Sequence, residues 1–263
     1  MQNYKTILVE RSGGLLRLTL NRPDNFNAMN PEMVAELRDL FAALVDDADT
    51  RVILLSGAGK HFCAGLDLDD MAAITANPAS TARTQRAYSE LVMSMRHCPQ
   101  PIIALINGAA VGAGFAIALA ADVRYAADVA KVSVAMAKIG LTGTDMGISY
   151  FLPRAVGSSN ASELMMGGRF ADAHKMLRIG LVSDVVPLAD LEAAGLKLAD
   201  EMLAMSPLGL RLTKEGINMA LDAGSLAAVV AVEDRAQIIT IGRFMKEGAA
   251  AFKEKRRANY DGL

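Results

Sequence analysis

The chemistry open to this chain lies in two turns rather than in a cluster of reactive side chains. The first, Asn107-Gly108-Ala109-Ala110-Val111-Gly112-Ala113-Gly114, holds glycine at 108, 112 and 114. An apolar run, Ile102 to Ile106, precedes it behind Pro101, and Phe115 to Ala121, apolar on every side, follows it. That order reads as buried strand, turn and buried helix. It aims the unbonded N–H groups of a helix start at whatever occupies the turn, which suits an anion or the oxyanion of a reacting carbonyl. The second turn lies in His61-Phe62-Cys63-Ala64-Gly65-Leu66-Asp67-Leu68-Asp69-Asp70, where the chain passes through Gly65 into a helix start capped by Asp67.

Side chains offer less. His61, His97 and His174 stand apart, none with a second ligand at metal spacing. Cys63 lies beside the second turn with no histidine near it in sequence, so a thiol nucleophile lacks its base. With only Cys98 besides, a disulfide framework is excluded and buried free thiols are expected.

Two other readings of the first turn deserve comparison. Ile102 to Ala121 is uncharged over the roughly 20 residues a membrane helix needs, but its glycines and the proline before it break a straight helix. Gly112-x-Gly114 begins a dinucleotide fingerprint, yet the third glycine position falls on Ile117.

The elements that must hold these turns follow from pattern. At 263 residues the chain forms one large domain, or a domain with a small appendage. A net charge of −2 and few aromatics make nucleic acid and anionic membrane poor partners. The opening MQNYKTILVE lacks a basic stretch followed by an apolar one, so a cytoplasmic protein is expected. Lys5 to Glu10 and Leu15 to Leu20 read as a hairpin about Gly13-Gly14. Asn30 before Pro31 caps a helix whose apolar face carries Met33, Leu37, Leu40, Phe41 and Leu44. Arg51 to Ser56 reads as a strand, residues 77 to 80 as a loop and Thr84 to Met95 as a helix. Val123 to Tyr125, Lys131 to Val134 and Leu181 to Val186 read as strands, with short helices at Glu163 to Met166 and Asp172 to Ile179. Beyond Leu188 only helices remain, over 188–204, 207–221 and 225–255, which places a boundary near residue 195. An α/β body over 1–195 with a helical region over 196–263 is the expected class, and Ala227 to Ile241 is too apolar for a solvated tail.

Five motifs in order resemble the crotonase family, the enoyl-CoA hydratase/isomerase superfamily. They are Asn21-Arg22-Pro23 with Asn27-Ala28, Phe62 to Leu68, Asn107-Gly108 with Gly112-Ala113-Gly114, Arg178 to Val182, and Ala251-Phe252 with Lys255-Arg256. The resemblance implies a spiral of ββα units, a helical C-terminal trimerisation region, and trimers or hexamers. It implies an acyl-CoA thioester as substrate, with no further cofactor, and backbone N–H groups of Leu66 and Ala113 holding the thioester oxygen. It also implies that coenzyme A lies along Arg22, Asn27, Ala28, Ala64, Gly65, Asp67 and Gly112, with Phe252 and Lys255 supplied by a neighbouring subunit.

The chain departs from the family pattern where protons are moved. The two glutamates of typical hydratases fall on Ala116 and Met136, neither of which titrates. Asp145, in IGLTGTDMG, matches within about a residue the loop aspartate of dienoyl-CoA isomerases and aromatic-CoA dehalogenases, and is the expected acid/base. Asp69 stands where some hydratases carry a lysine toward the nucleotide. Tyr150 and Arg154 follow as candidates to face the acyl pocket. The alternatives are an acyl-CoA binder that kept the hole and lost the chemistry, a one-base isomerase or hydrolase of the same family, and a dinucleotide-dependent oxidoreductase.

Overall fold

The computed structural model describes residues 4–260 and 262. Strands β1 (Ile7–Ser12) and β2 (Leu15–Leu20) form the antiparallel hairpin, turned by Gly13 and Gly14 at φ 59° and 85°. Helix α1 (Pro31–Leu44) starts where expected, the Asn30 side chain accepting from Met33 N–H. Strand β3 (Val52–Gly57) follows, then a short α2 (Met71–Ile74) and the long α3 (Pro78–His97). Residues 77 to 80 are therefore not a loop: Asn77 caps α3 ahead of Pro78, repeating the Asn-Pro signal of α1.

The apolar stretch around the first turn divides into β4 (Ile102–Ile106), β5 (Ala109–Val111) and α4 (Ala113–Ala120). Among the described residues no helix is long and apolar enough to cross a membrane. Then come β6 (Val123–Ala127), β7 (Lys131–Ser133), α5 (Ile148–Gly167), β8 (Ala171–Asp172), α6 (Ala173–Arg178) and β9 (Asp184–Val186). The helix expected over Glu163 to Met166 is the last turn of α5, whose earlier part was hidden by Pro153 and by Gly157 at φ 77°. The chain ends in α7 (Leu191–Leu203), α8 (Pro207–Asp222), α9 (Leu226–Ile241) and α10 (Arg243–Glu254).

One sheet runs β1-β2-β3-β4-β6-β9, parallel except for the hairpin, and a second runs β5-β7-β8. Single-residue bridges extend the second layer backwards, Cys63 to Ala110 and Leu66 to Met29. Each circuit of the chain thus lays one segment in each layer before a helix returns it. This is the expected ββα spiral. Its strands β3 and β4 are buried apolar runs, as strands covered on both faces must be.

Residue 195, the expected boundary, lies inside α7. Gly195 sits so close to the sheet that an added Cβ would stand 2.7 Å from the Leu105 side chain. The change in packing comes after α7: α9 buries no residue, and Leu226 and Ile238 are 78% and 72% exposed.

Candidate active site

The two turns meet through backbone. Met29 N–H donates to Gly65 O (2.7 Å) and Asp67 N–H to Met29 O (3.1 Å). A strand alternates the direction of its peptide groups, so the Leu66 N–H points away from Met29. On that opposite side Cys63 N–H donates to Ala109 O (3.1 Å) and Val111 N–H to Cys63 O (2.9 Å), which aligns β5 with the 63–66 segment. Gly112, at φ 54° and ψ −120°, then swings the chain into α4 with Ala113 as first helical residue.

The approach leaves no space for side chains. A Cβ on Gly65, itself at φ 98°, would stand 2.6 Å from Val111 O and 3.4 Å from Ala113 N; one on Gly114 would stand 2.3 Å from Cys63 O. Leu66 and Ala113 are therefore neighbours in one corner, and among the described residues neither N–H meets an acceptor. Two such donors at the positive end of a buried helix have the chemistry to hold a developing oxyanion.

A clamp holds the corner. Arg22 Nη1 pairs with Asp67 Oδ2 at 2.7 Å and also donates to Ala28 O. The buried Asn27 accepts from Arg22 N–H (2.9 Å) and donates to Ala58 O (2.9 Å) and His61 O (2.8 Å). Three side chains expected along coenzyme A, Arg22, Asn27 and Asp67, are thus engaged with each other and with loop backbone. What they present to a ligand is the shape of the loop. Ala28 is buried beside them, while Ala64 donates its N–H to Phe26 O and keeps its carbonyl free among the described residues.

Tyr88 on α3 completes the support, its hydroxyl donating to Met29 O at 2.6 Å. Burial pushes the Tyr88 phenol above its ordinary value, with Cys63, Asp70 and Asp67 adding to the rise. Burial likewise pushes the Cys63 thiol up to about 12, against the lowering effects of the Gly65 backbone and Arg22. Both groups are neutral at pH 7, so Cys63 is packing rather than nucleophile.

Ala116 and Met136, the positions where the resemblance would put the family's glutamates, are buried. Asp145 lies half-buried in the loop before α5. Its Oδ1 accepts from Gln85 Nε2 (2.5 Å) and from Met146 N–H (2.8 Å), leaving Oδ2 without a partner among the described residues. Gln85 is one helical turn before Tyr88, so α3 ties the Asp145 loop to Met29, the residue that bridges to Leu66. Sequence reasoning missed Gln85 and saw Tyr88 only as part of an apolar face, since neither carries a local signature of such a role.

Phe252 and Lys255 are not brought to this corner within one chain. Phe252 is 85% exposed on α10, which packs against α9, and Lys255 is exposed at its end. Among the described residues no three His, Cys, Asp or Glu gather as metal ligands.

The enoyl-CoA hydratase/isomerase family model matches residues 10–262. A Mycobacterium tuberculosis protein named a probable enoyl-CoA hydratase is 36% identical over 92% of this chain and 87% of its own. The 1,2-epoxyphenylacetyl-CoA isomerase of Escherichia coli is 34% identical, over 97% of this chain and 98% of its own. Among solved structures, an enoyl-CoA hydratase from Bacillus anthracis superposes with a TM-score of 0.93 at 31% identity, covering 98% of this chain and all of that one (100%).

Proposed function

The chain belongs to the enoyl-CoA hydratase/isomerase family, and from that premise we propose that it isomerises enoyl-CoA thioesters with Asp145 as its single acid/base. Its class is that of acyl-CoA hydratases and isomerases. One observation carries the finer reading: the Leu66–Ala113 corner has two free N–H groups and the positions expected to hold the family's glutamates are Ala116 and Met136, while the Asp145 carboxylate keeps one oxygen open.

In a 3-enoyl thioester the α-carbon is acidified by both the carbonyl and the alkene. Asp145 Oδ2 takes an α-proton, and the electron pair moves into the enolate, whose oxygen is met by the N–H groups of Leu66 and Ala113. The same carboxyl returns the proton to the γ-carbon, so the double bond moves into conjugation and no atom is gained or lost. Hydration asks more, because water must be activated and the α-carbon protonated separately. Asp145→Asn should preserve thioester binding and slow isomerisation about 100- to 10,000-fold. Steady-state kinetics on 3-enoyl-CoA and crotonyl-CoA decide it. Efficient hydration of crotonyl-CoA by wild type, untouched by Asp145→Asn, would overturn the reading.

The protein acts, in this proposal, as a cytoplasmic homotrimer or homohexamer. The exposed apolar residues of α8 and α9, among them Met219, Leu226, Ile238 and Ile239, supply the contact. Phe252 then reaches a neighbour's ligand and Lys255, unpaired among the described residues, meets its phosphates. Light scattering tests this, and a stable monomer would contradict it.

A further inference from the structure

A cavity whose lining includes neither Leu66 nor Ala113 lies where α8 crosses the C-terminal end of α4 and the first turns of α5. It encloses about 310 Å³. Its walls are mostly apolar, with Leu119, Val123, Phe151, Met202, Leu210 and Ile217 among them. Four cations line it, Arg96, Arg124, Arg154 and Lys214, against one carboxylate, Asp122.

That carboxylate is already committed. Asp122 Oδ2 accepts from Lys214 Nζ (2.8 Å) and Ile102 N–H (2.8 Å), and its Oδ1 from Arg96 Nη1 (3.3 Å). Lys214 is saturated further by Gln100 O at 2.9 Å. Arg124 caps the carbonyl end of α4, donating from Nη1 to Ala121 O (2.7 Å) and from Nε to Leu181 O (2.9 Å). Those carbonyl dipoles offset part of its charge. Arg154 lies 3.7 Å over the Tyr150 ring and donates from Nη1 to Tyr150 O. Asp222 accepts from Tyr150 Oη (2.7 Å) and lies outside the cavity's lining. Burial lowers the Arg124 guanidinium to about 10, with Arg96 adding to the fall and Asp122 opposing it. Among the described residues the Nη2 groups of Arg96, Arg124 and Arg154 have no partner.

Uncommitted guanidinium donors in the lining of an otherwise apolar cavity fit an anion with a tail better than a bare ion or a neutral hydrocarbon. We propose that this cavity binds a small organic carboxylate, its head group among Arg96, Arg124 and Arg154 and its tail against Leu119, Phe151 and Ile217. The site owes nothing to the acyl-CoA reading and stands or falls separately. Within the family's chemistry it would let a free acid register on the enzyme at a distance from the thioester.

Calorimetry on the full chain, with acetoacetyl-CoA present to occupy the thioester corner, tests this with hexanoate, inorganic phosphate and 1-hexanol as probes. Hexanoate should bind once per chain and more tightly than either other probe. Arg154→Glu, which reverses one exposed cation, should weaken it at least about tenfold. Ala155→Leu, which fills the cavity from its wall, should do the same while Arg154→Glu keeps the wild-type melting temperature. Absence of hexanoate binding to wild type, or affinity unmoved by both variants, would overturn the proposal. So would phosphate or 1-hexanol binding as tightly as hexanoate, since the tail or the cations would then be idle.

Discussion

The two halves of the proposed site are built by opposite means. The Leu66–Ala113 corner is backbone against backbone, with Ala113 buried and Leu66 half-buried, and with approaches so close that Gly65 and Gly114 admit no side chain. The Asp145 loop is side-chain work: its neighbours Leu141 and Thr144 are exposed, and the carboxylate is fixed by one glutamine and its own following N–H. Backbone donors at Leu66 and Ala113 do not depend on the identity of their own side chains, only on the glycines that let the segments approach, whereas a side-chain acid/base is lost by one substitution. In the proposed reaction the hole would supply enolate stabilisation, and the loop would decide which reaction uses it.

Substitutions should separate the halves. Gly65→Ala places a methyl group 2.6 Å from Val111 O and should displace Leu66, lowering turnover about 100- to 1,000-fold with thioester binding weakened as well. Unaltered kinetics in that variant would mean that the corner is not the hole. Gln85→Leu touches only the other half. It frees Asp145 to rotate and should lower kcat by roughly tenfold while leaving KM nearly unchanged; a change in KM alone would assign Gln85 to binding.

Gly112→Ala is the control for the corner. At φ 54° and ψ −120° a side chain costs about 1–3 kcal/mol, but no atom lies within 4 Å of the new methyl, so thermal unfolding should register that loss while turnover falls less than in Gly65→Ala. The smallest effect lies outside both halves. Burial would raise the Glu36 carboxyl, but hydrogen bonds from Lys5 N–H, Thr6 Oγ1 and Thr6 N–H outweigh it and hold the group below its ordinary value. A depressed carboxyl stabilises fully above its unfolded pKa of about 4.3 and loses that contribution as pH falls through the lowered value. Glu36→Gln should therefore flatten the acid limb of a melting-temperature profile, and an unchanged limb would place the acid sensitivity elsewhere.

Much of the spiral was legible because its signals are local. Asn30-Pro31 and Gly13-Gly14 announce a helix start and a hairpin, and Ile102 to Ile106 can only be a buried strand or helix segment. Both turns were legible as places with free N–H groups. Their convergence was not, since the bridges of Met29 to Leu66 and Cys63 to Ala110 join segments 37 and 47 residues apart. Nor did Arg22, Asn27 and Asp67 reveal that they hold one another. A charged residue in a loop looks the same whether it waits for a ligand or for a partner 45 residues away.

The most direct test is the carbonyl stretch of a bound thioester, measured by infrared or Raman difference spectroscopy on benzoyl-CoA, which has neither an α-proton to lose nor an alkene to hydrate. If the Leu66 and Ala113 N–H groups hold the oxygen, the band falls on binding to wild type, falls equally in Asp145→Asn, and returns toward its solution frequency in Gly65→Ala. A band unmoved by wild type, or a shift that disappears with Asp145 while surviving Gly65→Ala, would contradict the account.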